Sequence, residues 1–168
     1  MRPRNLIIAV FVVFLLGVLG FEFFARVHYV DPKPALAVGE DYFSDLRRGQ
    51  TDDAFAIYTD GFLRKVGEEW RNVIAQLDAQ GGSVTDFKPT GSHVVPVRLR
   101  DQTEIPCVLI RYQITRKTLS TDERLIVCPH QRGAAWAIAG HEIIRKDSGQ
   151  RFSAGITVKE KTIVVTSW

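Results

Sequence analysis

Cys107-Val108-Leu109-Ile110-Arg111-Tyr112-Gln113-Ile114 and, a short way on, Glu123-Arg124-Leu125-Ile126-Val127-Cys128 read as two strands of one hairpin. Side chains alternate across a strand, so Val108, Ile110, Tyr112 and Ile114 share one face and Leu125 and Val127 join them in a core. Cys107 with Arg111, and Cys128 with Arg124, then fall on the opposite face. A four-residue loop sets Cys107 across from Cys128 and Arg111 across from Arg124. A disulfide there would stabilise by about 3 kcal/mol. The like-charged arginines on the same ladder argue mildly against that register, and two small apolar residues that never meet are the alternative. Metal ligation is not expected: Cys128-Pro129-His130 lacks zinc spacing and no second ligand pair follows.

Upstream of the hairpin the period is helical. Leu36, Gly39, Phe43 and Leu46 recur after Pro34 and end at Gly49. Thr51 can cap a short second helix, with Asp52 and Asp53 in its first turn and Phe55, Tyr58 and Phe62 on its apolar side. A third helix is predicted from about Glu68 to Ala79, burying Trp70, Val73, Ile74 and Leu77, with Gly81-Gly82 as its stop. β-branched segments follow near 83–88, 92–99, 104–116, 123–129 and 134–145. Two more are expected at Phe152–Val158 and Thr162–Trp168, turning through Lys159-Glu160-Lys161. Three helices followed by a run of strands predict an α+β domain with an antiparallel sheet.

The N-terminal stretch is of another kind. Met1-Arg2-Pro3-Arg4-Asn5 is a basic head, and Leu6 to Phe21 carries no charge, with Glu22 the single one before Ala25. At about 1.5 Å per residue, 6–25 reaches roughly 30 Å, the thickness of a bilayer's hydrocarbon core. The run is long for a signal-peptide core and lacks a good small-residue cleavage point, so it reads as a retained anchor. Arg2 and Arg4 on the short side predict a cytoplasmic N-terminus and an exported main domain. The expected location is the bacterial inner membrane, single-pass, with the domain periplasmic.

Of 168 residues, about 140 remain after the anchor, and the net charge of the whole chain is only +3. One domain with a real core fits that length, and nucleic acid is not an expected partner. The expected divisions are a head at 1–5, the transmembrane helix at 6–25, a linker at 26–34 stiffened by Pro32 and Pro34, a domain at 35–146 and a hairpin tail at 147–168. Export gives the two cysteines an oxidising setting.

The pattern Phe43-x-x-Leu46, Asp53-Ala54-Phe55, Trp70-Arg71-x-x-Ile74 and Gly82 is similar to small exported bacterial domains of the NTF2-like superfamily, especially the family of domain of unknown function 4019. Val108–Tyr112 and Ala135–Ile143 also resemble that superfamily's closing meander. The resemblance covers about residues 36–145 and implies an NTF2-like (cystatin-like) domain: about three helices packed on a curved antiparallel sheet, a cone that can hold a pocket. The C-terminal hairpin and the anchor are additions to the pattern.

No catalytic constellation is legible, and no cofactor is expected. His141-Glu142 is the most tempting pair, but neighbours on a strand point to opposite faces. Parity groups His141 with Ala137 and Ala139, and Glu142 with Trp136 and Ile138. Tyr58, Phe62, Trp70, Tyr112 and Trp136 are candidates to line a pocket for a small apolar ligand, or simply to fill the core. Gly17, Gly20 and Glu22 in the anchor, and Ile156, Val158, Ile163, Val165 and Trp168 in the tail, are candidates for contact with other membrane proteins. The expected function is a non-enzymatic, single-pass accessory or scaffold subunit. The alternatives are a tethered binder of a small apolar ligand, or a small isomerase- or hydrolase-type enzyme using His141 or Glu142.

Overall fold

Residues 30–98, 104–129, 135–159 and 162–164 are described in a computed structural model of the chain. The anchor at 6–25, with Gly17, Gly20 and Glu22, lies outside them, as do His130, the turn residues Glu160 and Lys161, Val165 and Trp168. Among the described residues no helix is long and apolar enough to cross a membrane. Pro32–Trp168 forms one compact unit.

Helix α1 spans Lys33–Arg48 and buries Ala35, Gly39, Tyr42, Phe43 and Leu46. Gly39 sits where a Cβ would overlap the Tyr112 hydroxyl, so glycine lets the helix settle onto the sheet. Gly49 ends α1 in the left-handed region at φ 75°, the usual solution to a helix's unpaired last carbonyls. Helix α2 covers only Thr51–Ala56, with Gln50 rather than Thr51 as its N-cap. Helix α3 runs Asp60–Gly81, far longer than the predicted 68–79. Its start is fixed by Thr59, whose Oγ1 accepts a hydrogen bond from the Phe62 amide at 3.3 Å. Tyr58 therefore lies in the link between helices. Phe62 opens the buried stripe Phe62, Gly67, Trp70, Ile74, Leu77, Gly81 of α3 and does not extend α2.

The five-stranded sheet is antiparallel in the order β1 (Val84–Arg98), β2 (Glu104–Arg116), β3 (Ser120–Pro129), β4 (Trp136–Arg145), β5 (Arg151–Gly155). The segments predicted at 83–88 and 92–99 are one long strand, bent by a register shift between Pro89 and Gly91. Hairpin β2–β3 has the predicted register: Val108 faces Val127 and Arg111 faces Arg124. Cys107 and Cys128 accordingly form a disulfide, S–S 2.12 Å and Cα–Cα 4.4 Å.

The segment predicted as one strand at 152–158 divides at Ile156. β5 joins the main sheet beside β4, while β6 (Thr157–Lys159) pairs with β7 (Thr162–Val164) in a separate two-stranded ribbon. Gly140 and Gly155 permit this turn. A Cβ on Gly140 would collide with the Ile156 carbonyl, and Gly155 adopts φ 72°.

The sheet thus has two working faces. The inner face carries Val108, Ile110, Tyr112, Ile114, Leu125, Val127, Ile138 and Ile143, each at most 1% exposed, beneath the helices. On the outer face Val95, Val97, Cys107, Leu109, Ile126, Cys128, Ala139 and Ile156 make a second apolar cluster. β6 runs beside β4 and β7 beside β1, so the ribbon reaches across the sheet.

A buried Glu-His-Tyr relay as the candidate functional site

Strand β4 carries a bulge that decides which residues meet. Leu125 faces His141 and Ile126 faces Gly140, yet Val127 faces Ile138, so Ala139 and Gly140 together oppose one residue of β3. The extra residue reverses the parity expected from sequence. His141 shares the inner face with Ile138 and Ile143, and Ala139 lies on the outer face. The expectation that grouped His141 with Ala139 is overturned by this one inserted residue.

β5 pairs with β4 only along Gly140–Ile144, leaving the edge at Ile138 open. The link between α2 and α3 fills it: the Ile138 amide donates to the Ile57 carbonyl at 3.1 Å, and the Thr59 amide donates to the Ile138 carbonyl at 2.9 Å. This clasp delivers the Tyr58 side chain to the inner face.

There the Tyr58 hydroxyl meets three polar partners in one chain of contacts. Its hydroxyl lies 2.7 Å from His141 Nδ1, 3.0 Å from the Tyr42 hydroxyl and 3.0 Å from Trp70 Nε1. On its other side His141 places Nε2 2.8 Å from Glu123 Oε2. The Thr121 hydroxyl donates to Glu123 Oε1 at 2.7 Å. Thr121, Glu123 and His141 are 0–1% exposed.

The protons can be assigned from the donor inventory. Trp70 can only donate, so Tyr58 accepts from it. If Tyr58 then donates to Nδ1, it accepts from Tyr42, and His141 donates from Nε2 to the carboxylate. Every hydroxyl and N–H in the group then has an acceptor, and all lead toward Glu123. Burial pushes the Tyr42 hydroxyl well above the ordinary phenol range, reinforced by the Glu123 charge. Tyr58 is raised for the same first reason, with Tyr42 adding to it. Both therefore stay protonated as donors.

Aromatic rings enclose the relay. Tyr58 stacks on Phe62 at 4.3 Å, Trp70 lies 5.1 Å from the His141 ring, and Tyr42 meets it edge-on at 5.6 Å. Of the residues singled out as pocket candidates, Tyr58, Phe62 and Trp70 are brought together here. Tyr112 is buried next to Phe43 at 4.7 Å, its hydroxyl likewise raised by burial and then by the Glu40 charge. Trp136 stands apart at the start of β4, half-buried and opposite Pro129. Glu142 points to the outer face and pairs with Arg124 at 3.1 Å and Arg151 at 3.3 Å. His93 is exposed on β1.

A second buried charge sits nearby. Arg116, 2% exposed, pairs through Nη1 with Asp78 of α3 and also donates to the Gly82 carbonyl at 3.3 Å. Burial raises the Asp78 carboxyl, against the pull of Arg116.

Glu123, Thr121 and Tyr42 escape a search for site residues in the sequence, although one signal exists. Glu123 and Thr121 share parity with Leu125 and Val127, which puts a carboxylate on a face read as core. Among the described residues no group of three or more His, Cys, Asp or Glu could hold a metal ion. Of the tail candidates, Ile156 is 3% exposed within the outer cluster, and Val158 and Ile163 face one another across the β6–β7 ribbon. Compared with known proteins, the chain matches no family model, no curated protein and no solved structure.

Proposed function

We propose that this chain is a membrane-tethered, non-enzymatic accessory or scaffold subunit of the bacterial inner membrane. Its NTF2-like domain would stand on the periplasmic side and dock on a membrane-protein complex. The observation that carries this reading is the saturation of the interior chemistry. Both His141 nitrogens, both Glu123 oxygens and the Tyr58 hydroxyl are engaged in one network that also takes in Thr121, Tyr42 and Trp70, with His141, Glu123 and Tyr58 at most 3% exposed. A general acid or base has to reach a substrate proton, and a fully buried group whose polar atoms are already hydrogen-bonded within the fold does not in this arrangement. Such a network instead fixes α1, the α2–α3 link, α3, β3 and β4 in one arrangement. The apolar run at 6–25, flanked by Arg2 and Arg4, supplies the tether. Purification of the full chain in mild detergent tests the reading. A co-purifying membrane protein is the expected result, and a lone monomer would defeat it.

A second reading draws on the same relay. Glu123 orienting His141, with Tyr58 against its other nitrogen, is an acid-base arrangement inside a helix-covered sheet. If Tyr58, Phe62 and Trp70 part to admit a small apolar ligand, the domain becomes a tethered binder or a small isomerase- or hydrolase-type enzyme. Ligand-dependent shifts in the His141 ring resonances would favour it over docking.

A further inference from the structure

The outer face of the sheet is covered at its disulfide end and open at the other. Two rows of side chains cross the open end. One contains Arg111, Arg124, Glu142 and Ser153, and the next contains Lys88, Gln113, Asp122, Ile144 and Arg151. Five basic side chains, including Lys146, share this area with three carboxylates, Asp86, Asp122 and Glu142. The carboxylates are unevenly placed. Asp122 is taken by Lys146 at 3.0 Å, and Glu142 is divided between Arg124 and Arg151. Arg111 is exposed and has no ion pair or side-chain hydrogen bond among the described residues.

Arg111 and Arg124 are directly opposite one another. Paired residues in an antiparallel ladder alternate between wide and close spacing. Cys107–Cys128, at a Cα separation of 4.4 Å, is a close pair. Arg111–Arg124 lies four residues along the same ladder with no register shift between, so it is close as well. Like charges directly opposite destabilise a sheet. Here the disulfide holds the register that forces them together.

We infer that the Arg111–Arg124 pair is an anion-docking site, and that its occupant is the phosphate headgroup layer of the bilayer that holds the tether. This rests on the tethered reading above. Arg111 presents an unpaired guanidinium, and Arg124 beside it, which spends Nη1 on Glu142, keeps further N–H groups, all donors suited to phosphate oxygens. Lys88, exposed and without an ion pair among the described residues, adds positive charge on the β1 side. The basic groups spread over an open sheet surface, which suits a layer of headgroups better than a single small anion.

The test uses the full chain in nanodiscs, with a fluorophore introduced at the exposed Gln113 through an unnatural amino acid and an acceptor on the lipid headgroups. Energy transfer is expected to be stronger in discs containing phosphatidylglycerol than in pure phosphatidylcholine, and to fall as salt is raised. Arg111→Gln should weaken docking roughly five-fold, while leaving thermal stability unchanged or raised, because it relieves the like-charge pair. Arg64→Gln, at an exposed position of α3, should change neither. Equal transfer in both lipids, or loss of stability without loss of transfer in Arg111→Gln, overturns the proposal. Reversal by inorganic phosphate alone at low millimolar concentration would overturn the lipid source. Carbonate extraction separates the two failures: a chain released by carbonate lacks the tether, whereas a retained chain with lipid-independent transfer lacks only the docking face.

Discussion

His141 Nε2 lies 2.8 Å from Glu123 Oε2, and neither side chain touches solvent. Strand β3 contributes the acid and β4 the base, and the bulge at Ala139–Gly140 turns the histidine inward to meet it. Removing one member of a buried pair leaves the other without compensation, which typically costs about 3–5 kcal/mol. Glu123→Leu and His141→Phe should each destabilise the domain by about that much in urea unfolding. The double variant should lose clearly less than the two losses added, because neither polar group is then stranded. Strict additivity would mean that the pair does not act as a unit.

Alkaline pH should unfold the domain cooperatively. Tyr42 and Tyr58 have hydroxyl pKa values raised in the folded state, chiefly by burial. A raised folded pKa means stability fully present below the unfolded value of about 10 and lost as pH climbs above it. The unfolded chain releases both protons first, so stability should fall by roughly 1.4 kcal/mol per pH unit for each tyrosine. Phenolate absorbance should therefore appear together with loss of tertiary signal. Tyr58→Phe should flatten the slope by about one proton. Gradual phenolate formation within an intact fold would contradict this.

The β2–β3 hairpin was readable because strict alternation and two cysteines pinned its register. Its inner residues, its disulfide and its opposed arginines all follow from that one pattern. The relay was not readable, because three of its contacts depend on local departures from periodicity. The bulge turns His141 over, the cap at Thr59 removes Tyr58 from a helix, and the Ile57–Thr59 clasp closes an edge left open by a short β5. Each is a single-residue decision made by tertiary contact. Gly61 and Gly67 also obscured α3, whose length is secured by its long buried stripe and not by propensity.

Gly140 is the point at which the tail crosses the sheet, so its substitution should be costly. A Cβ there meets backbone, the carbonyl of Ile156, which has no rotamer through which to yield. Gly140→Ala should cost about 2–3 kcal/mol, in the range of overpacked cores. Hydrogen exchange should rise first in β5 and at Ile156. Gly91→Ala is the control, since nothing lies within 4 Å of a Cβ at that position. Equal stability of the two variants would show that the tail crossing is not a fixed part of the fold.

The disulfide should support the covered end of the outer face in particular. Cys107 and Cys128 are 0% and 4% exposed and pack with Val95, Val97 and Ile156. Replacing both by alanine removes the constraint on the unfolded chain, about 3 kcal/mol for a loop of this length. It also removes apolar contact from the cluster. The Arg111–Arg124 repulsion then acts on a hairpin with no covalent lock. Combining the double alanine variant with Arg111→Gln should therefore recover part of the lost stability, and more of it at low salt than at high salt. Thermal melts of the four proteins at two ionic strengths read this coupling directly. No recovery at either salt concentration would mean that the disulfide does not work against the charge pair.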